Sequence, residues 1–288
     1  MTGQPDPATF LSGDSGGVVG IRRTTVRTLA EIGCALAQAV ALTAPRLDRL
    51  AAGQEPRRVL VVSVYRPDSR LPRAIARLES KRHAVRFALG AIAEQADPEL
   101  ASHTVLTGLA GGKFENVNRL LEHAGGVAGH DWLLVVDDDI DLPRRFLDRF
   151  VAVCERLGLD LAQPAQTQRS HSAWQITRRR PVWLARRTRY VEIGPLTAFS
   201  ARCAAELTPF PELRFGWGLD NHWAALAHDR GWRLGVVDAL PVRHEWQRVA
   251  TAYTHAEAIA EGREFLTGKP YLTRAEAQET LERIGRLR

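Results

Sequence analysis

"WLLVVDDDIDLP", residues 132–143, runs five large apolar side chains straight into Asp137, Asp138, Asp139 and Asp141. The apolar half predicts a strand buried in a protein interior. Carboxylates at the end of such a strand are costly to bury unpaired, so the cluster calls for a cation. Asp137 and Asp139 are two apart, and in extended backbone their side chains leave on one side, with Cα atoms about 7 Å apart. That spacing suits one shared hard divalent ion. Oxygen ligands select magnesium, manganese or calcium, and magnesium in particular is completed by substrate phosphates. Asp141 reads differently: with Pro143 it looks like the N-cap of a helix formed by "LPRRFLDRFVAVCERLG" (142–158).

On either side of this stretch the chain alternates. "RVLVVSVYR" (58–66) is another apolar strand, "HAVRFALGA" (83–91) a second and "ASHTVLTGL" (101–109) a third. Between them lie helical spacings, from about Leu71 to Ser80 and in "KFENVNRLLEHAG" (113–125), where Phe114, Val117, Leu120 and Leu121 share a face. Strands alternating with helices predict an open, mainly parallel sheet with helices on its faces. Ligands of such sheets gather outside the carboxyl ends of the strands, which is where Asp137–Asp139 fall. "TGLAGGKF" (107–114) is one residue short of a phosphate-binding Walker loop and lacks its Ser or Thr. It reads as a turn into a helix whose N-terminus, with Lys113, attracts an anion.

Composition narrows the class. The 288 residues are 45% hydrophobic and 25% charged, enough for a large core. The net charge of +6 rests on arginine, since Lys81, Lys113 and Lys269 are the only lysines. The positives are dispersed rather than gathered on one element, which argues against a nucleic-acid partner. "RRRPVWLARRTRY" (178–190) is the exception, a segment able to face phosphate or a lipid headgroup. Cys34, Cys154 and Cys203 form neither a disulfide framework nor a zinc pattern, and fit a reducing cytoplasm.

Residues 1–20 carry no secretory pattern and read as a flexible tail. Residues 24–52 read as one helix packed on the body, with an amphipathic helix on a membrane surface as the alternative, given Arg22, Arg23 and Arg27. The expected organisation is a tail and helix over 1–55, a catalytic domain over 56–272 (nucleotide-binding half 56–145, acceptor-binding half 146–272) and a C-terminal helix over 273–288.

The order of "VLVVSVYR", "GGKFENVNRLLEHA", "DWLLVVDDDIDLP", "VEIGPLTAFSARCAAEL" (191–207), "FGWGLDNHWAALAHDRGWRLGVVD" (215–238) and "PVRHEW" (241–246) resembles a family-2-like, nucleotide-sugar-dependent glycosyltransferase of the GT-A fold. The resemblance covers about 58–253. It implies that Asp137 and Asp139 hold Mn2+ or Mg2+, with His244 as third ligand after the strand "WRLGVVD" and a short turn. It places Ser63, Tyr65, Arg66, Lys113, Asn118 and Asp138 on the sugar-nucleotide donor. Glu192, Gly194 and Trp217 fall on a glycan, lipid or small-molecule acceptor, with Trp174, Trp183 and Trp223 as further stacking rings. Asp220 becomes the general base of an inverting transfer, although this chain has Leu219 and Asn221 where such enzymes often pair two acids. Arg169, Arg178 and Arg179 are candidates for extra charge stabilisation. Two other readings stay open: a magnesium-dependent phosphohydrolase or nucleotidyltransferase, and a non-catalytic glycan-binding module.

Overall fold

The computed structural model describes residues 5–11, 21–170, 172–244 and 254–285. Its nucleus is the first strand, β1 (Arg58–Tyr65), flanked in parallel by β2 (Ala84–Ala91) and by β4 (Trp132–Val136), with the short β3 (Thr104–Leu106) outside β2. β1 and β4 are buried on both faces, which is why their sequences are continuously apolar rather than alternating. Alternate residues nevertheless divide between two cores. Val59, Val61, Trp132, Leu134 and Val136 face α3 (Leu71–Leu78) and α5 (Phe146–Leu157), whereas Leu60, Val62, Leu133 and Val135 face α4 (Lys113–His123) and α7 (Leu219–Arg230).

The second half extends the same sheet. β8 (Leu196–Ser200) runs antiparallel to β4 and passes the sheet to β6 (Leu161–Gln166), which pairs in parallel with β9 (Leu234–His244). β7 (Ala185–Thr188) and β10 (Thr280–Ile284) complete the edge in the order β10-β7-β9-β6-β8-β4-β1-β2-β3. The two-residue β5 (Ile140–Asp141) leaves this path and pairs with the far end of β9, tying the acidic segment to His244. A mixed sheet with a parallel heart results, because β8 and β7 are reversed.

Several expectations change at the periphery. The N-terminal helix is two, α1 (Ile21–Val40) and α2 (Thr43–Ala52), bent by 58° where Leu42 takes a φ of 50°. Part of the tail is docked: Phe10 and Leu11 are buried against α8 (His255–Leu266), Tyr271 Oη donates to Pro5 O, and Asp6 pairs with Arg263. The rest of that tail, residues 1–4 and 12–20, lies outside the described residues, as do 245–253, including the end of "PVRHEW". The C-terminal helix is one turn, α9 (Arg274–Ala277), and β10 follows it. The third strand shrinks to three residues. Asp141 is a strand residue paired with Arg243, and α5 begins only at Phe146, so Asp141 caps nothing.

The basic segment 178–190 is turned inward. Arg186 is buried in a bidentate pair with Asp238, Arg179 pairs with Glu31, and Arg187 and Arg189 reach Glu282 and Glu279 on the β10 side. The sequence suggested a segment able to face phosphate or a lipid headgroup, but these arginines spend their charge on carboxylates, since Arg rarely occupies an interior unless paired. Here the partners are distant in sequence.

Candidate active site

Past Val136 the backbone of Asp137 is anchored to the turn before β8, its N–H donating to Pro195 O at 2.8 Å. Three successive acids then take different main partners, although Arg66 Nη2 also lies 3.8 Å from Asp139 Oδ2. Asp137 Oδ1 lies 2.6 Å from Lys113 Nζ. Asp138 is clamped by Arg66, through Nε (3.0 Å), Nη2 (2.6 Å) and the backbone N–H (2.9 Å), and its carbonyl accepts from Arg70 N. Asp139 Oδ1 lies 3.1 Å from His244 Nε2. The middle acid therefore fastens the end of β1 to the end of β4, leaving the outer two free to converge.

Asp137, Asp139 and His244 each offer a ligand atom, and these atoms all lie within 4.8 Å of one another. β5 explains the convergence: Ile140 pairs with His244, so the residue before it meets the histidine across the ladder. Two carboxylates and an imidazole suit Mn2+ or Mg2+. The residues fit the ion, because Lys113 and His244 already show that these oxygens accept positive partners. Burial on its own depresses the His244 pKa. The Asp139 hydrogen bond and the charges of Asp139, Asp137 and Glu192 outweigh it, so the pKa is raised. A cation would bind better as His244 loses its proton.

Gly194 makes this approach feasible. A Cβ there would stand 2.8 Å from Asp137 Oδ2 and 3.7 Å from Lys113 Nζ, so any side chain would displace the carboxylate. Lys113 Nζ also donates to Ile193 O at 3.1 Å, joining the start of α4 to the same turn. The helix N-terminus itself is partly taken, since Gly112 N donates to Glu115 Oε2 at 2.5 Å.

The other side of the site holds carboxylates of opposite character. Asp220 sits in the first turn of α7, buried, with Gly218 rather than itself at the N-cap. Its Oδ2 accepts from Tyr190 Oη and from Ile193 N, and its Oδ1 from Asn221 N. Burial pushes its pKa up to about 6, against the lowering effect of the Tyr190 bond. Glu192 accepts from Gln166 Nε2 (2.7 Å), Thr177 Oγ1 (3.1 Å) and Ala173 N (3.2 Å). Burial, with the charge of Asp220 second, pushes it up to about 7. Both are poised near neutral pH, as proton-transfer groups are.

Some expected donor contacts are not brought to this place. Ser63 is wholly enclosed in β1. Tyr65 is buried, its hydroxyl bonded to Thr104 Oγ1 and to Asp97 N. Asn118 uses both ends of its amide on the backbone of Phe210. Arg178 donates to the carbonyls of Gln168 and Ser170, and Arg169 is exposed. Trp174 and Trp223 belong to the core, Trp183 is half-buried beside Arg283, and half-buried Trp217 meets His255 edge-on. Tyr190, Gln166 and Thr177, which hold Asp220 and Glu192, escaped sequence reasoning. They sit in no motif, and only the sheet brings them beside Asp220 and Glu192. Ser170 likewise supports His244, accepting from its backbone N–H at 3.0 Å.

No protein-family model matches the sequence, and no curated protein is similar to it. Solved structures are similar in fold. One is the mannosyltransferase PcManGT from Pyrobaculum calidifontis in complex with GDP-Man and Mn2+, at 16% identity and a TM-score of 0.51, covering 89% of this chain and 79% of that one. Another is GalNAc-T7 with UDP, GalNAc and Mn2+, at 11% identity and a TM-score of 0.49, where the match covers 73% of this chain and 48% of the other. The chain has the GT-A fold, an open mixed sheet flanked by helices, with an acidic cluster at the end of its central strand.

Proposed function

We propose that the protein is a metal-dependent glycosyltransferase that moves a sugar from a nucleoside-diphosphate donor to an acceptor hydroxyl. The observation that carries this reading is the convergence of Asp137, Asp139 and His244 at the carboxyl edge of β4, within a GT-A fold. Mn2+ or Mg2+ held there would supply charge compensation for a departing diphosphate. Lys113, at the same edge, is placed to exchange its contact with Asp137 for a phosphate oxygen. Arg66 and Asp138 keep the two strand ends in register, a positioning task rather than contact with the donor.

Across the site, Asp220 takes the proton from the acceptor hydroxyl. Tyr190 and Asn221 fix its orientation, and its raised pKa makes it a better base than a solvated aspartate. Glu192 and the backbone at Gly194 line the acceptor side, and Trp217 offers a half-buried ring face. An inverting outcome follows from a base opposite the leaving group.

The test is release of free nucleoside diphosphate from a panel of GDP-, UDP-, ADP- and dTDP-sugars, with Mn2+, with Mg2+ and with a chelator. Metal-dependent release from one nucleotide class, lost in Asp139→Asn, is expected. Release from none of them, or release indifferent to the chelator, contradicts the reading.

A further inference from the structure

α1 is mounted with its faces reversed. Its inward face is polar: Glu31 accepts from Arg179 and from Gln168 N, and Gln38 bonds Arg179 and, through Nε2 at 2.9 Å, Asp238 O. Its outward face is apolar. Val26, Leu29, Ile32, Leu36 and Val40 recur every three or four residues and are between 50% and 86% exposed, and Leu42 at the bend is 58% exposed. A helix of a soluble domain buries such a stripe. This one holds itself to the body by hydrogen bonds and displays its stripe along roughly 20 Å.

The exposed charges of α2 and of the turn before α5 are arginines. Arg46 and Arg49 are exposed on α2. Arg144 and Arg145 are exposed beside α2, where Arg145 meets Asp48 at 3.2 Å. The two acids of residues 21–52, Glu31 and Asp48, are both engaged by arginines, Asp48 also by Arg149. An apolar line bordered by arginine matches an anionic lipid surface, the apolar residues entering the acyl boundary and the guanidinium groups meeting phosphates. It matches a second copy of the chain poorly, since two such faces would bring like charges together. No single helix among the described residues is long and apolar enough to cross a bilayer; α1 and α2 reach that length and hydropathy only together, bent by 58°. The hydrogen bonds of α1 to Gln168, Arg179 and Asp238 hold it along the body, as a helix lying in the plane requires.

We infer that α1, with the start of α2, docks the protein on the surface of an anionic membrane. The inference goes beyond the transferase reading and does not depend on it. The rest of the protein would hang from the polar side of α1.

The full chain is sedimented with vesicles of phosphatidylcholine alone and of phosphatidylcholine with about 30% phosphatidylglycerol, at about 0.1 M and about 0.5 M NaCl. Binding to the anionic vesicles that falls at the higher salt is expected. Leu29→Glu and Leu36→Glu should each weaken it about tenfold or more, and Arg46→Glu with Arg49→Glu by a similar factor. All of these side chains are exposed, so the fold survives the changes, and unchanged thermal unfolding of the variants verifies that. Absence of vesicle binding overturns the inference, as does equal binding by parent and variants. A dimer in sedimentation equilibrium that Leu36→Glu dissociates assigns the stripe to a second copy and also overturns it. Nucleotide binding is read separately in the same samples, so failure of one idea leaves the other standing.

Discussion

Asp137, Asp138 and Asp139 on one side of the site and Asp220 and Glu192 on the other are the same chemical group in opposite surroundings. The three at the end of β4 face Lys113, Arg66 and His244, so Asp137 and Asp138 each have a cationic partner at 2.6 Å and Asp139 an imidazole at 3.1 Å. Asp220, buried, and Glu192, half-buried, sit among hydroxyls, amides and backbone N–H groups, with pKa values raised to about 6 and about 7. Burial among neutral dipoles raises a carboxylate's pKa, which is the case for the second pair alone. The two groups meet through Ile193, whose N–H donates to Asp220 and whose carbonyl accepts from Lys113, the partner of Asp137.

Breaking the first side should have the largest effect. Asp139→Asn removes a ligand atom and the partner of His244, and nucleoside diphosphate release should fall by at least roughly a hundredfold at saturating Mn2+, read by coupled assay. On the second side, Asp220→Asn should lower the transfer rate by about 10²- to 10⁴-fold while metal-dependent nucleotide binding stays at the parent level, which separates the two roles. Gly194→Ala should fall between structure and chemistry. Its methyl presses on Asp137, so Mn2+ affinity should drop about tenfold with a small change in melting temperature.

The pH dependence sharpens the contrast. Asp220 and Glu192 have folded pKa values above their ordinary 3.8 and 4.5, so the native state binds more protons than the unfolded chain between about 4 and 7. Their contribution to stability is complete below the ordinary values and is lost as pH rises through about 6 to 7. The melting temperature of Asp220→Asn relative to the parent should therefore climb from pH 5 to pH 7.5, measured by calorimetry. Over the same range the parent's rate should rise as Asp220 ionises. The smallest effect belongs to Asp138→Asn, which loosens the Arg66 clamp. Arg66 is 37% exposed and solvent screens the pair, so the cost should be about 1 kcal/mol, with the metal response kept.

The sequence made the centre of the fold legible and its margins opaque, for physical reasons. β1 and β4 are long apolar runs ending in polar residues, and nothing but a buried strand uses such a run at that length. α1 is misleading because its period is right but its orientation is reversed: the contacts that hold it are side-chain hydrogen bonds to Arg179 and Asp238, which periodicity does not register. β7 and β10 are hidden by their arginines and glutamates, whose pairing across the strands makes a basic stretch part of a sheet. Within the site, the Asp-x-Asp spacing pointed to Asp137 and Asp139 and the resemblance added His244, and one ligand atom from each lies within 4.8 Å of the others. The spacing could not tell that Asp138 faces inward to Arg66, nor that Ser63 and Tyr65 are buried structural residues. Those depend on the turn of backbone after Val136 and on which side of β1 each residue leaves.

The most direct test of a metal-held diphosphate site is thermal unfolding with GDP, UDP, ADP and dTDP in the presence of Mn2+ or a chelator. At a hundred times its dissociation constant, a bound diphosphate should add about 2.7 kcal/mol, a rise of roughly 5 to 10 °C, that appears with Mn2+ and one nucleotide and vanishes with chelator or in Asp139→Asn. A rise that survives the chelator and the substitution, or no rise with any of the four, would contradict the account.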